Sequence, residues 1–383
     1  MLMSKSRAWA EIDLSRIAHN VEEVRALIPA TSKIMGIVKA DAYGHGAVEC
    51  TRALEACGVD FFGVSSVDEA VELREHGIHS EILILGYTPP QHFGLLAAHD
   101  LIQTLVDLSY AQKLDAFAAE ANVTIRAHAK ADTGMNRIGV TVQDGEYHIE
   151  ELLAMYAMQH VQVCGIFSHF SVSDSHTADD LAFTAHQIEL FERVLADLRA
   201  AGYDPGTTHL QNSYGILNYP QLSYDYVRPG LLYMGVTSDD EIAINTAPDF
   251  LPILSLKANV TMVKWLRPGD TVSYGRHFTV ERPTKVATVS IGYADGLPRL
   301  ISNQGIEVLL HGQRVKIIGN ICMDQLMLDV TELEQVQEGD VVTLIGEDGD
   351  ERVSVDAISR ASHTINNETL TRITARVPRI YKK

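Results

Sequence analysis

The sequence predicts an α/β protein, a (β/α)8 barrel followed by a C-terminal, mainly antiparallel β domain. Eight short apolar or β-branched runs occur in the first 235 residues, and helical patterns separate most of them. After about Leu251 the chain changes to short strand-like runs broken by turn signals. Since 383 residues are too many for one ordinary domain, we expect a barrel over residues 1–240 and a β domain over residues 241–383.

The predicted barrel strands are short and rich in apolar residues. In order they are Ser32–Ala40, Phe61–Ser66, Glu81–Tyr87, Leu101–Asp107, Thr124–Asp132, Val161–His169, Thr208–Ser213 and Tyr226–Met234. Parallel strands need crossover connections, and the helices between the runs supply them. The connection between the seventh and eighth strands is short, with room for about two helical turns around Tyr214–Tyr219.

The helical pattern is clearest after the sixth predicted strand. Within Asp179–Ala201, apolar residues recur on one helical face from Ile188 to Leu198. After the second strand, the apolar side of Val67–Leu73 predicts another helix, with Glu69 on its polar side. These patterns supply the alternation that a barrel requires.

The C-terminal part of the chain has the pattern of an antiparallel β domain. Its short runs are separated by turn signals at Arg267–Asp270, His311–Gly312 and Glu338–Asp340. We expect the polar segment Thr237–Asp249 to link the two domains. One short helix is predicted at Ser354–His363, with its first residue as the N-cap.

Composition and charge exclude several classes of protein. An apolar share of 46% and a charged share of 21% are typical of a globular chain and not of a disordered one. The formal net charge of −19 argues against a general nucleic-acid binder, because it repels phosphate backbones. The four cysteines form no CxxC pair and no zinc spacing, so no metal site is predicted. Without a signal-peptide pattern or a membrane-length apolar run, we expect a cytoplasmic protein with reduced thiols and no membrane contact.

Residues suited to chemistry gather at the ends of the predicted strands. In a (β/α)8 barrel these ends meet at one mouth, where active sites lie. The residues are Lys39, His128, Lys130, Arg137, His169, Asn212, Ser213, Arg228 and Gly230. So many cationic and polar groups predict an anionic ligand, and a phosphate held partly by backbone N–H groups fits this set.

Lys39 has two interpretations from its sequence context alone. A lysine at the end of an apolar strand can form a Schiff base with an aldehyde, because burial lowers its pKa and frees the amine. It can equally turn to solvent, as most lysines do. His45 and His169 also have a local alternative, in which each imidazole only satisfies neighbouring polar groups.

An ordered set of motifs resembles the alanine racemase family over nearly the whole chain. The segment Val38–Gly46 is similar to the family's pyridoxal-phosphate lysine motif, and His128–Arg137 resembles its second motif. Further matches are Ser168–Phe170, Asn212–Ser213, Arg228–Gly230, Ser273–Arg276, Gly292–Gly296, Cys322–Gln325 and Arg376–Arg379. Each motif is weak alone, but the ordered set is specific, and the resemblance implies that Lys39 is the Schiff-base lysine.

The resemblance also implies an architecture and a reaction. It places the opening strand, about Ala8–Asp13, in the β domain, and it implies a head-to-tail homodimer with shared active sites. Lys39 of one subunit would lie opposite Tyr274 of the partner subunit. The implied reaction interconverts L- and D-alanine with pyridoxal 5′-phosphate, and these two residues act as the two bases.

The family pattern assigns roles to the other site residues. Cofactor contacts are implied for Lys39, Tyr43, His169, Asn212, Ser213, Arg228, Gly230 and Leu231, and substrate contacts for Arg137, Met323 and Asn367. Hydrogen bonds through His169 to Arg228 are implied to assist the tyrosine, whose ordinary pKa is about 10. Lys130 matches a lysine that the family often carries as an anionic carbamate, which would hold Arg137 in place.

One position departs from the family pattern. The family's C-terminal stretch usually reads Thr-Ile-Asn-Tyr-Glu, whereas this chain reads Thr364-Ile365-Asn366-Asn367-Glu368. Asn367 is smaller than tyrosine and offers both a donor and an acceptor. We expect it to admit a side-chain hydroxyl, so that the enzyme also racemises serine or is predominantly a serine racemase. The alternative is a neutral substitution with little effect on selectivity.

Three rival interpretations stay open from the sequence. A decarboxylase of the same cofactor-barrel class is disfavoured by the Ser273–Arg276 motif. A non-catalytic pyridoxal-phosphate carrier leaves the C-terminal domain, with Tyr274, Met323 and Asp324, unexplained. A structural barrel without a cofactor would show no cofactor absorbance band near the visible edge.

Overall fold

The structure is a computed structural model that describes residues 7–383. Its strands are β1 (Ala8–Asp13), β2 (Lys33–Ile37), β3 (Phe61–Val64), β4 (Glu81–Ile84), β5 (Ile102–Leu105), β6 (Ile125–Asp132), β7 (Val140–Gln143), β8 (Glu146–Tyr147), β9 (Val161–Phe167), β10 (Thr207–His209), β11 (Tyr226–Val227), β12 (Leu254–Leu266), β13 (Thr271–Val272), β14 (Phe278–Thr279), β15 (Thr284–Val289), β16 (Glu307–Leu310), β17 (Gln313–Ile318), β18 (Leu326–Asp329), β19 (Val341–Asp348), β20 (Glu351–Val353) and β21 (Arg379–Lys382). Its helices are α1 (Ser15–Leu27), α2 (Lys39–Gly44), α3 (Ala47–Ala56), α4 (Val67–Glu75), α5 (Phe93–Ala98), α6 (Leu108–Ala121), α7 (Ile149–Tyr156), α8 (Ala178–Ala200), α9 (Ser213–Asn218), α10 (Val355–Ala361) and α11 (Asn366–Thr371). Within residues 7–383, none of these helices has both the length and the apolar character needed to cross a membrane.

Eight parallel strands form a closed barrel. Their order is β2-β3-β4-β5-β6-β9-β10-β11, and β11 returns to β2 through the pairs Tyr226 with Lys33 and Val227 with Ile34. The predicted fold class is therefore confirmed. In such a barrel the carboxyl ends of all eight strands meet at one mouth, which gives the chemical residues a common location.

The predicted helices between the strands are present. α4 follows the second barrel strand, and its N-cap Ser66 accepts a hydrogen bond from the backbone N–H of Glu69. α8 begins after Thr177, whose hydroxyl accepts the backbone N–H of Asp180. The short connection between the last two barrel strands holds α9, as its length predicted.

All eight barrel strands are shorter than predicted, and the last two differ most in extent. β11 ends at Val227, because Pro229 lacks a backbone N–H and the following residues Leu231–Met234 form a 3-10 turn. β10 ends at His209, because the chain leaves the barrel wall to start α9, where the Asn212 side chain accepts the N–H of Gly215. The strand predictions Tyr226–Met234 and Thr208–Ser213 were wrong in extent.

A nine-stranded sheet makes up the β domain, in the order β20-β19-β16-β17-β18-β15-β12-β1-β21. β1 pairs antiparallel with β12 and parallel with β21, so the opening strand belongs to this sheet and not to the barrel. α10 lies in the predicted position after Ser354. Ser354 occupies the N-cap position as predicted, but its side chain makes no capping hydrogen bond.

One continuous cluster of buried side chains runs through both the barrel and the β sheet. It joins barrel residues such as Phe62 to sheet residues such as Leu328. At the junction, the Asn20 side chain on α1 donates to the carbonyls of Tyr233 and Leu251. The sheet and the barrel of one chain are therefore held together by shared packing and buried hydrogen bonds.

The segment after β2 has an unusual backbone. The residues Ala40, Asp41, Ala42 and Tyr43 all have left-handed dihedral angles, with φ between 50° and 56°. Each such non-glycine residue costs roughly 1–2 kcal/mol, so other contacts must hold this turn. The prediction of a regular strand through Ala40 was wrong for this reason.

Side chains from three parts of the chain fix this left-handed turn. Glu69 accepts the backbone N–H of Ala40 at 2.7 Å. The His45 imidazole Nδ1–H donates to the carbonyls of Ala42 and Tyr43. From β21, the guanidinium of Arg379 donates to the carbonyl of Gly44 at 2.9 Å. His45 thus has the local role that its sequence context left open.

We predict that Gly44→Ala is more destabilising than Gly77→Ala. Both glycines have φ near +80°, so both substitutions carry the cost of a left-handed alanine. A Cβ at Gly44 would lie 2.4 Å from the carbonyl oxygen of Leu370, whereas a Cβ at Gly77 meets nothing within 4 Å. The extra loss should be about 1–3 kcal/mol in urea unfolding. Equal losses would show that the close contact is harmless.

Candidate active site

A cavity of about 480 Å³ lies at the barrel mouth, at the carboxyl ends of the strands. Four cationic side chains line it, namely Lys39, Lys130, Arg137 and Arg228. None of its described lining residues is Asp or Glu. In a protein of formal net charge −19, an acid-free group of four cations marks a site for anions.

A larger cavity of about 720 Å³ lies between the linker and the β domain. Two arginines line it, of which Arg314 already contacts Glu351 at 2.7 Å, and acids such as Asp240 and Asp356 line it as well. It therefore lacks the concentration of free cations found at the barrel mouth, and we place the candidate active site at the mouth.

Lys39 follows β2 by two residues and opens the left-handed turn. Burial lowers the pKa of its amine, and the positive charge of Arg137 lowers it further. The carboxylate of Glu69 opposes this effect, and Arg228 adds a smaller lowering. The amine is thus more easily deprotonated than an ordinary lysine, which is what a nucleophile or base needs.

Arg228 is a buried guanidinium held by neutral acceptors. One nitrogen donates to Nδ1 of His209 at 2.6 Å. The other lies within hydrogen-bonding distance of Nδ1 of His169 at 3.0 Å and of the carbonyls of Ser168 and Leu210 at 2.8 Å. Burial lowers the Arg228 pKa to about 9, so it still carries its charge at neutral pH.

His169 lines the cavity beside Arg228. Burial and the charge of Arg228 lower the His169 pKa well below its usual range, so this imidazole is neutral. Its Nδ1 faces a guanidinium that can only donate, and the ring proton is therefore on Nε2. His169 can offer this N–H to an anionic or phenolic oxygen.

Tyr43, Ser213 and Gly230 lie together at one side of the cavity. The Ser213 hydroxyl accepts the backbone N–H of Gly230 at 3.1 Å. A Cβ at Gly230 would lie 2.4 Å from the Tyr43 hydroxyl oxygen, so only glycine leaves this space open. Burial raises the Tyr43 pKa, which keeps its O–H as a donor. Asn212 caps α9, and Leu231 continues the turn with its side chain in the core.

Lys130 and Arg137 occupy the same cavity near β6. The Lys130 amine donates to the carbonyl of Ala131 and lies 5.3 Å from the centre of the Phe167 ring. Burial lowers the Lys130 pKa to about 7, against the opposing effect of Asp132. A fraction of this amine is therefore unprotonated at neutral pH.

Tyr274 and Met323 lie elsewhere, on the β domain. Together with Ser273, Cys322, Asp324 and Gln325 they line a separate concave surface. Tyr274 is 70% exposed and Met323 is 51% exposed. The carbonyl of Tyr274 accepts the side-chain N–H of Asn320 at 2.7 Å. The predicted site residues thus form two groups in one chain, one at the barrel mouth and one on this surface.

Asn367 belongs to the first group and lines the barrel cavity from α11. Its side-chain oxygen is buried and has no hydrogen-bond partner within the protein. A buried acceptor without a partner is costly, so a ligand donor at this point would be favoured.

Two residues of the site were not identified from the sequence. Glu69 was expected on the polar side of a helix, but its carboxylate turns back to the N–H groups of Ala40 and Ser65. Its place three residues after Ser66, the spacing of a capping box, was the available signal. His209 was not singled out, although a histidine within the apolar seventh strand was the available signal. No three His, Cys, Asp or Glu side chains in residues 7–383 are placed to hold a metal ion.

The fold and the site together define a closed parallel barrel with a cationic cavity at the strand ends, suited to an anionic ligand. The chain matches the family models for the alanine racemase N-terminal domain over residues 12–238 and C-terminal domain over residues 253–381. It belongs to the alanine racemase family and is a pyridoxal-phosphate-dependent amino-acid racemase of that type. The resemblance found in the sequence is confirmed.

Individual relatives agree with this assignment. The chain is 42% identical to alanine racemase 2 of Caldanaerobacter subterraneus over 375 residues, which cover 97% of this chain and 94% of that one. It is 39% identical to an amino-acid racemase of Enterococcus faecalis over 371 residues, which cover 97% of this chain but 51% of that longer protein. A solved alanine racemase of Clostridium difficile 630 superposes with a TM-score of 0.90 at 34% identity, covering 98% and 96% of the two chains.

We predict that stability falls as pH decreases below 6.5, because four histidines are neutral in the fold. They are His45, His128, His169 and His209. Burial lowers all four pKa values below the unfolded value, to about 4 for His45 and about 3 for His128. Between the unfolded pKa of about 6.5 and the lowered pKa in the fold, the unfolded chain binds more protons than the folded one. Each histidine then lowers the free energy of unfolding by up to about 1.4 kcal/mol per pH unit.

The measurement is urea unfolding between pH 7 and pH 5. The slope of the unfolding free energy against pH reports how many more protons the unfolded state binds. His128→Asn should reduce this number by up to one. His92→Asn, at an exposed histidine, should leave it unchanged. A slope that is the same for all three proteins would mean that His128 is not neutral in the fold.

Proposed function

We propose that this protein interconverts L- and D-alanine with pyridoxal 5′-phosphate. The observation that carries the proposal is Lys39, an amine with a lowered pKa in an acid-free cavity beside Arg137 and Arg228. When bound, the cofactor supplies an electron sink that stabilises a negative charge at the substrate Cα. The Tyr43, Ser213 and Gly230 cradle would hold its phosphate, with the backbone at Leu231 and the α9 start at Asn212 completing the contacts.

One proton acceptor on each face of Cα suffices for racemisation, and each acceptor acts as the proton donor for the opposite direction. Lys39 is our candidate on one face. On the other face we propose Tyr274 of the partner subunit, because Tyr274 is exposed and lies outside the cavity of its own chain. The Nε2–H of His169 would donate a hydrogen bond to the phenolate oxygen and so stabilise it.

Arg228 and Arg137 have different proposed tasks. Arg228 would donate to the pyridine nitrogen without giving up its proton, which leaves a weaker electron sink and disfavours side reactions such as transamination. Arg137 would bind the substrate carboxylate, assisted by the backbone N–H of Met323 of the partner subunit. Lys130 is a candidate for carbamylation, because a fraction of its amine is unprotonated near neutral pH. The carbamate would hold Arg137 in place.

These assignments require a homodimer in which each site uses two chains. The surface that carries Tyr274 and Met323 is our candidate for the part that covers the partner's barrel mouth. We also propose a cytoplasmic location, which suits four cysteines that are all free.

Serine is our proposed second substrate, because the Asn367 oxygen in the cavity has no partner. A serine hydroxyl could donate to this oxygen, whereas alanine leaves it unpaired. The E. faecalis relative carries the broader name amino-acid racemase. A predominantly serine-specific enzyme is the stronger form of the same proposal.

A mixing experiment tests the alanine activity and the shared site together. Lys39→Ala and Tyr274→Phe should each abolish most racemisation of L-alanine in the presence of added cofactor. After subunit exchange, half of the dimers contain one of each chain, and one of the two sites in each such dimer is intact. Activity should therefore recover to about a quarter of the wild-type value.

The controls for this experiment separate its two claims. A wild-type protein that binds the cofactor but does not racemise alanine or serine would favour a non-catalytic carrier. Active wild type with no recovery on mixing, after exchange has been verified by mass-tagged subunits, would refute the shared site and leave the activity standing.

Reverting Asn367 to tyrosine tests the serine proposal. Asn367→Tyr should lower kcat/KM for L-serine about tenfold more than for L-alanine, because a hydroxyl partner is lost and the pocket narrows. Asn367→Ala is the matched control, since it removes the acceptor without narrowing the pocket. Equal losses for both substrates would identify Asn367 as a neutral substitution.

A further inference from the structure

A hydrogen-bonded chain of side chains continues from the cavity into the barrel interior. Arg228 contacts Nδ1 of His169 on the cavity side and Nδ1 of His209 on the inner side. The Nε2 atom of His209 then lies 2.9 Å from Nδ1 of His128. His209 and His128 are fully or almost fully buried, with 0% and 1% exposure.

The donors and acceptors in this series of hydrogen bonds can be assigned step by step, starting from Arg228. A guanidinium has only donors, so it faces a lone pair on Nδ1 of His209. Burial and the charge of Arg228 keep the His209 pKa well below its usual range, and a neutral ring carries its single proton on Nε2. That proton points to Nδ1 of His128, which must accept it. His128 is neutral as well, because burial and the charges of Arg126 and Arg228 lower its pKa.

The orientation of the His128 ring is fixed by its surroundings. The edge of the ring meets the Phe61 ring at 85°, with 5.8 Å between the ring centres. Gly165 on the neighbouring strand lies against the other side, where a Cβ would come within 2.6 Å of Nε2 of His128. The ring is thus held between an aromatic side chain and a bare backbone, with Nδ1 directed at His209.

We propose that His128 is a positioning residue that fixes the tautomer of His209 and, through it, the orientation of the Arg228 guanidinium. Without an acceptor at this position, the Nε2–H of His209 would be buried and unpaired. The other tautomer would direct its Nδ1–H at the N–H groups of Arg228. Either arrangement disturbs Arg228, and the kinetic consequence of that disturbance depends on the function proposed above.

Two substitutions distinguish the acceptor from the space that the ring fills. His128→Asn keeps an acceptor near the position of Nδ1, whereas His128→Leu fills a similar volume without one. We expect His128→Leu to lower kcat for L-alanine about tenfold with KM changed less than about twofold, as for one lost buried hydrogen bond. His128→Asn should stay within about threefold of wild type, and so should the control His92→Asn. Equal loss in the Asn and Leu variants, or wild-type rates in the Leu variant, would overturn the proposal.

A second measurement does not depend on activity or on the folding of a variant. Neutron diffraction from deuterium-exchanged wild-type crystals of the holoenzyme should show deuterium on Nε2 of His209 and none on its Nδ1 or on Nδ1 of His128. Deuterium on Nδ1 of either ring would refute the assignment. If these positions are as expected but the wild-type enzyme does not racemise amino acids, the proposed function fails while the tautomer assignment stands.

Discussion

The site depends on the convergence of four cations in a cavity whose described lining contains no acid. Buried charge is expensive, and a nearby carboxylate would be the usual compensation. Here the guanidinium of Arg228 is held by backbone carbonyls and two imidazoles instead. Neutral acceptors orient the charge without cancelling it, so the cavity keeps its attraction for anionic ligands. The burial of the histidines, which keeps them unprotonated, is therefore a condition for the electrostatics of the cavity.

The β domain contacts the barrel of its own chain and also carries exposed residues suited to chemistry. Arg379 on β21 donates to Gly44 and thereby helps to hold the left-handed turn behind Lys39. The same domain carries Tyr274 on an exposed surface away from that lysine. One domain thus supports the lysine segment within the chain and presents a second group of chemically suited residues outward.

The sequence predicted the barrel, the β domain and the location of the cavity because strand ends in a parallel barrel share one mouth. Lys39, Lys130 and Arg228 could be assigned to one site on that basis alone. The left-handed turn could not be predicted, because no glycine occupies Ala40–Tyr43 and the stabilising contacts come from residues distant in sequence. His209 was overlooked for a related reason, since its role exists only through its partners.

The left-handed turn also bears on how the chain matures during synthesis. The Gly44 carbonyl accepts a hydrogen bond from Arg379, which lies 335 residues further along the chain. Contacts of such sequence separation form late, because a long loop must close before they stabilise anything. A nascent chain on the ribosome can assemble barrel strands, with Glu69 and His45 in place, while the Gly44 carbonyl still lacks its partner Arg379. The set of contacts that holds the left-handed turn is thus complete only once β21, near the end of the sequence, has joined the sheet.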